Sequence, residues 1–277
     1  MANLRILYNN VADLATITAS TTASTTTPNG FAASNMQNAQ KTSVHRAGSA
    51  GSVTYTLNWA TGQRINGIAL PATNLADNDG IEVKAYYNDV LHTTISNYAC
   101  LGRNILLQSG STTSDYTQFS FGGATKTSVW WPTWPSDLTS KLEIKLTSAG
   151  NSPIDCARIV CGEYWAPTRQ VDKGIELGFT DQSEVITTRS GNTYVDRKPI
   201  TETMNFQLQY LVESDRQQFM KIMRSWGSTG LVYVCVFPDN TNPELTQAYS
   251  IYGRLQANAL QYQFFNYYSS SVQLNSW

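Results

Sequence analysis

Apolar and polar residues alternate in one short segment after another along the chain. In "SVTYTLNWA", Val53, Tyr55, Leu57 and Trp59 recur at every second position, and "KLEIKLTSAG" repeats the pattern with Leu142, Ile144 and Leu146. A period of two places these side chains on one face of a β-strand. "INGIALPATNL", "IEVKAYYND" and "PIDCARIVCGEYW" continue the series to about residue 165, with Gly, Asn, Asp and Pro turns between them. Many short strands at close spacing predict a sandwich or jelly roll. The low-complexity stretch "ATITASTTASTTTPNG" (15–30) begins with an alternation suited to an edge strand that runs into a loop.

The pattern breaks at "YWAPTRQVDKG", so a domain boundary is expected at 165–174, dividing the chain into 1–165 and 166–277. Beyond it, "EVITTRSGNTYVDRKP" predicts a β-hairpin turning at Gly191 and Asn192. "TETMNFQLQYLV" follows, with Met204, Phe206, Leu208, Tyr210 and Val212 all expected to face one core. Next comes a helix over "SDRQQFMKIMRSWG". Ser214 is its expected N-cap, Gln217 the capping-box partner, and Gly227 the stop. Phe219, Ile222, Met223 and Trp226 form its apolar stripe, which needs a sheet beneath it, most simply the one containing 203–212. "LVYVCVF" reads as a strand buried on both faces, and "QAYSIYGRLQANALQYQFFNYYSSSVQL" as two or three more. The fold class predicted is mainly β: an N-terminal jelly-roll β-sandwich, then a small α+β split barrel with one flanking helix.

Composition narrows the function. Charged residues are 14% of the 277 and the formal net charge is -1, which gives no electrostatic footprint for nucleic acid or an anionic membrane. The apolar stretch in "MANLRILYNN" is too short for a signal peptide's central region, and no run approaches a membrane span. The expectation is a soluble chain that is not exported by the usual secretory route. Cys100, Cys156, Cys161 and Cys235 lack zinc-site spacing and read as free thiols. On one continuous strand, Cys156 and Cys161 would point to opposite faces.

Candidate chemistry is sparse. The two histidines, His45 and His92, sit in no nucleophile or zinc motif and read as structural. Asp77, Asp79 and Glu82 in "LADNDGIE" form the densest acidic cluster, spaced like a solvated turn rather than a calcium loop. No catalytic, cofactor or metal residue is assigned, and the chain is not expected to be an enzyme. "VWWPTWP" places Trp130, Trp131 and Trp134 in a proline-bearing segment. Such a cluster suits core packing, a protein interface or stacking on a sugar ring. On "YQFFNYY", one face of a strand would be core and the other would show aromatic rings to a partner.

Two resemblances add to this reading. The order of strand, "FAASNMQNAQKTSVHR", alternating strand and "INGIALPATNL" resembles the discoidin-like, galactose-binding jelly roll over residues 10–165. Asn38 and Ala39 stand where that family has an Asp-Gly turn, and His45, before Arg46, stands where it has a Trp. The segment "DRKPITETMNFQLQYLVESDRQQFMKIMRSWGSTGLVYVCVFPD", followed by "IYGRL", resembles the tail-tube-like or distal-tail split barrel of tailed bacteriophages. That resemblance implies a non-enzymatic virion component, assembled in the bacterial host cytoplasm. It would form a ring or sleeve at the distal tail or baseplate through homo-oligomerisation and contacts with other tail proteins, with the jelly roll outward. Candidate assembly residues are Arg189, Tyr194, Arg197, Tyr262, Phe265 and Tyr267. The alternative is a carbohydrate-binding module that recognises a host surface glycan through Trp130, Trp131 or Trp134.

Overall fold

The computed structural model describes residues 4–24, 30–75, 79–99, 126–130, 138–148, 150, 152–169, 171, 174–196, 198, 200–238, 243–257, 260–262 and 267–277. Among the described residues, eleven strands precede residue 163: β1 (Arg5–Leu7), β2 (Thr16–Ala19), β3 (His45–Ala50), β4 (Ser52–Gln63), β5 (Gly67–Thr73), β6 (Gly80–Tyr87), β7 (Val90–Ala99), β8 (Lys126–Trp130), β9 (Thr139–Thr147), β10 (Pro153–Cys156) and β11 (Val160–Gly162). Ten of these form two facing sheets, one in the order β2-β4-β9-β6-β7, the other in the order β11-β5-β10-β3 with β8 also paired to β5. The alternating residues Val53, Tyr55, Leu57, Trp59, Leu142, Ile144 and Leu146 all point into the core between the sheets. Among the described residues β2 pairs with β4 alone, at the edge of its sheet. β5 is buried at every position, as a strand enclosed on both faces must be.

The second unit is built on β12 (Tyr164–Trp165), β13 (Glu176–Asp181), β14 (Glu184–Thr187), β15 (Thr193–Asp196), β16 (Ile200–Leu211), β17 (Leu231–Cys235), β18 (Ser250–Ala257), β19 (Gln261–Tyr262) and β20 (Tyr268–Ser276). Its helices are α1 (Glu213–Trp226) and the short α2 (Pro243–Ala248). The main sheet runs β12-β1-β17-β18-β20-β16-β13, with β19 added beside β20. The first strand of the chain therefore lies inside the C-terminal sheet, between residues 164–165 and 231–235. Phe219 and Ile222 of α1 are buried on that sheet, with Met223 and Trp226 packed at the edge of the same core.

β17 explains how the two units are joined. Val232 and Val234 face the core under α1, whereas Tyr233 and Cys235 face a smaller cluster with Leu7, Ala69, Val160 and Tyr252. That cluster is the seam between sandwich and C-terminal sheet. A buried guanidinium crosses it: Arg158 reaches Asp13 Oδ2 at 2.6 Å, the Tyr252 hydroxyl at 3.1 Å and the Met36 carbonyl at 3.3 Å. Trp277 also donates from its indole to the Ala39 carbonyl.

Several local expectations need correction. α1 begins at Glu213, and the residue before it, Val212, makes no side-chain cap. Gln217 instead donates to the Glu213 carboxylate at 3.0 Å, so Ser214 and Gln217 form no capping box. Gly227 does stop the helix, with φ +54 and its N–H on the Met223 carbonyl at 2.8 Å. Tyr210 does not face the core: the β16 to β20 register shifts between Leu208 and Leu211, and Tyr210 takes φ +56. The bulge inverts the phase, which buries Leu211 and leaves Tyr210 47% exposed. Cys156 and Cys161 lie on separate strands, both as free, buried thiols of one core. Asp79 is buried rather than solvated, and Glu82 pairs with Lys84 at 2.6 Å.

Candidate functional site

Among the described residues, the hairpin between β13 and β16 exposes the most large apolar side chains. These two strands pair from Glu176 opposite Asn205 to Asp181 opposite Ile200. A polar joint follows, in which Ser183 donates its N–H to Asp181 at 2.8 Å and accepts the Lys198 N–H at 3.0 Å. β14 and β15 then continue as a separate two-stranded ribbon. Its loop is closed by Thr188, whose hydroxyl accepts the Asn192 N–H at 3.1 Å, and Gly191 takes the φ of +83 that the reversal requires. The ribbon forms because Val185, Ile186, Thr187, Thr193, Tyr194 and Val195 all favour extended backbone. At a strand's rise it extends about 25 Å beyond Asp181.

Every residue of this arm from 184 to 196 is exposed. Val185 stands opposite Val195, and Ile186 opposite Tyr194, so the ribbon is apolar on both faces. Their exposures run from 52% for Val195 to 74% for Tyr194. At the root, Leu177, Phe179 and Ile200 extend the same surface. A two-stranded ribbon is marginal in water, and a contiguous exposed apolar surface is uncommon on a monomeric soluble protein. The charges on it are few: Lys198 pairs with Glu184 at 2.6 Å, Asp196 lies exposed opposite Glu184, and Arg189 lies exposed in the loop.

A second cluster lies at the other end of β16, where Leu211 pairs with Tyr268. The Arg169 guanidinium lies 5.6 Å from the Tyr210 ring and 5.3 Å from the Tyr267 ring, and those two rings meet edge to face. Tyr262 packs on Tyr268 at 5.4 Å, and Arg216 lies over Tyr268 at 5.2 Å. Hydrogen bonds from Arg216 and Gln217 hold the Glu213 carboxyl down at about 2.

Burial shifts the titratable groups inside the sandwich. His45 opens β3 with no exposed surface, its Nδ1 3.0 Å from the Tyr55 hydroxyl and its Nε2 3.2 Å from Thr22 Oγ1. Burial lowers its pKa and favours the neutral ring. Burial also pushes the Cys156 thiol up to about 12 and the Cys161 thiol higher. Arg46 next to His45 is held by Asp155 at 2.7 Å and lies over the Phe31 ring. Among the described residues, no group of three or more His, Cys, Asp or Glu side chains is placed to hold a metal ion.

The assembly candidates separate into two places. Arg189 and Tyr194 are on the arm, whereas Tyr262 and Tyr267 are in the aromatic cluster beyond Leu211. Arg197 and Phe265 lie outside the described residues, as do Trp131, Trp134, Asp77 and Cys100. The backbone of Trp130 ends β8 opposite Ile68. Sequence reasoning passed over Phe179, Val185, Ile186 and Val195. The available signal was a ribbon of β-formers on both sides of Gly191 with no helix assigned to cover it.

No family model matches the chain, and no curated protein matches it. Similar solved structures are carbohydrate-binding modules and an enzyme. A fucose-binding module of Streptococcus pneumoniae is 12% identical with a TM-score of 0.36, over 57% of this chain and 99% of the module. A chitosan-binding module from a Paenibacillus chitosanase/glucanase is 14% identical with a TM-score of 0.36, over 56% of this chain and 99% of the module. A Ruminococcus gnavus fucosidase in complex with fucose is 9% identical with a TM-score of 0.38. That match covers 57% of this chain but only 27% of the fucosidase. Likeness at this level assigns neither a family nor a ligand.

Proposed function

We propose that this chain is a non-enzymatic assembly protein whose copies associate through the C-terminal unit and carry the sandwich as an attached module. The observation that carries the reading is the arm, with four large apolar side chains more than half exposed on its two faces. The resemblance to tail and baseplate proteins of tailed bacteriophages supplies the setting: a ring or sleeve at the distal tail of a virion, in contact with other tail proteins. Sedimentation velocity over a concentration series tests the self-association. The wild type is expected to associate, and Ile186→Ser combined with Tyr194→Ser to weaken association by about tenfold or more. A wild type that stays monomeric at every concentration overturns the reading.

A second reading assigns glycan binding to the sandwich, and the tryptophan cluster that begins at the end of β8 favours it. The structures named above include fucose- and chitosan-binding modules and no tail protein. The two readings are compatible, because several copies on one particle multiply weak sugar contacts. A glycan array separates them: signal lost in Trp130→Ala and Trp131→Ala supports sugar recognition, and a flat response to every glycan removes it.

A further inference from the structure

We infer that the arm of one copy docks on the outward face of α1 of the next copy, with Tyr194 and Asp196 as the anchor and Met220, Lys221 and Arg224 as the seat. The inference rests on the self-association proposed above and names the surface that receives the arm. α1 turns Phe219 and Ile222 into the core, which leaves its opposite side to solvent. A shallow cavity of about 390 Å³ lies there, with Met220 half-buried in it and Arg216, Lys221 and Arg224 around it.

The two surfaces are complementary in chemistry. Tyr194 and Asp196 are two residues apart on β15 and so share a face, together with Ile186 and Glu184 across the ribbon. Glu184 is satisfied by Lys198, whereas Asp196 has no cationic partner among the described residues. On the helix Arg216 is paired with Glu213, while Lys221 and Arg224 have no acidic partner among the described residues. A tyrosine ring fits a flexible thioether floor rimmed by cations, which attract its π face. Asp196, beside that ring, supplies the negative charge that the rim lacks.

The receiving helix belongs to a different copy. The arm leaves β16 at Ile200 and α1 begins beyond Leu211, at the far end of the same strand. Tyr194 is 74% exposed and Lys221 and Arg224 are exposed as well, so the arm does not lie on the α1 of its own chain. Arm and seat are two different patches, which makes the contact heterologous and its product a closed ring or an open filament.

Native mass spectrometry of two one-sided variants tests this. One carries Tyr194→Ser and Asp196→Asn on the arm, the other Lys221→Glu and Arg224→Glu on the seat. All four positions are exposed, so both variants are expected to melt with the wild type. Each alone is expected to self-associate about tenfold more weakly or worse. Their equimolar mixture is expected to give a 1:1 dimer that grows no further, because one intact arm meets one intact seat. If the seat variant assembles like the wild type, or the mixture stays monomeric while the wild type assembles, this docking is overturned and self-association stands. If the wild type itself never associates, both fall.

Discussion

Glu213 shows how a single side chain sets the entry to α1. Its carboxylate accepts from Arg216 at 2.8 Å and from Gln217 at 3.0 Å, a helix-surface arrangement in which residues three and four apart meet. An acid lowered in this way contributes its stabilisation above its ordinary value of 4.5 and loses it as pH falls towards about 2. An NMR titration is expected to find the Glu213 midpoint near about 2, and Arg216→Ala to return it towards 4.5. An unchanged midpoint in the variant would remove the guanidinium as the cause. At this scale the sequence was informative about identity but not about partners. His45 was read as structural from the absence of a motif, and its burial and its bonds to Tyr55 and Thr22 depend on strands that pair only in the fold. The chain also placed Gln217 at capping-box spacing, but an acid at position 213 was the nearer acceptor.

Among elements, α1 and β16 carry the second core. Phe219 is 1% exposed and its ring lies 5.7 Å from that of Trp165, with Phe206 and Leu208 in the same cluster. Phe219→Ala is expected to lower unfolding free energy by about 3–5 kcal/mol in chemical denaturation, the range for an emptied aromatic site. A loss below about 1 kcal/mol would mean that the stripe does not hold the helix down. Periodicity made both elements legible, because a one-face pattern survives without knowledge of what it packs on. It was blind to the bulge at Tyr210, where one extra residue exchanges inside for outside. It was equally blind to β1, whose three residues are too few to show a period and whose partners lie at 164–165 and 231–235. The arm was legible as a hairpin and, through Arg189 and Tyr194, as a candidate assembly patch, but the extent of its apolar surface was not, since alternation cannot tell a covered face from an uncovered one.

At the scale of the molecule, a sandwich is fixed to an α-covered sheet through a sealed seam, and an apolar ribbon, 184–196, lies outside both. Leu7, Ala69, Val160, Tyr233, Cys235 and Tyr252 make the seam dry, and Arg158 fastens it through Asp13 and Tyr252. A guanidinium only 5% exposed is costly to strip of partners, so the joint resists hinging. Rigid attachment gives the sandwich a fixed direction relative to the C-terminal sheet. Hydrogen exchange of segment 184–196, read at low and at high protein concentration, tests the central claim most directly. Covering of the arm by another copy predicts rapid exchange in the dilute protein and strong protection in the concentrated one. Exchange that stays equally fast at both concentrations, while the core strands remain protected, would contradict it.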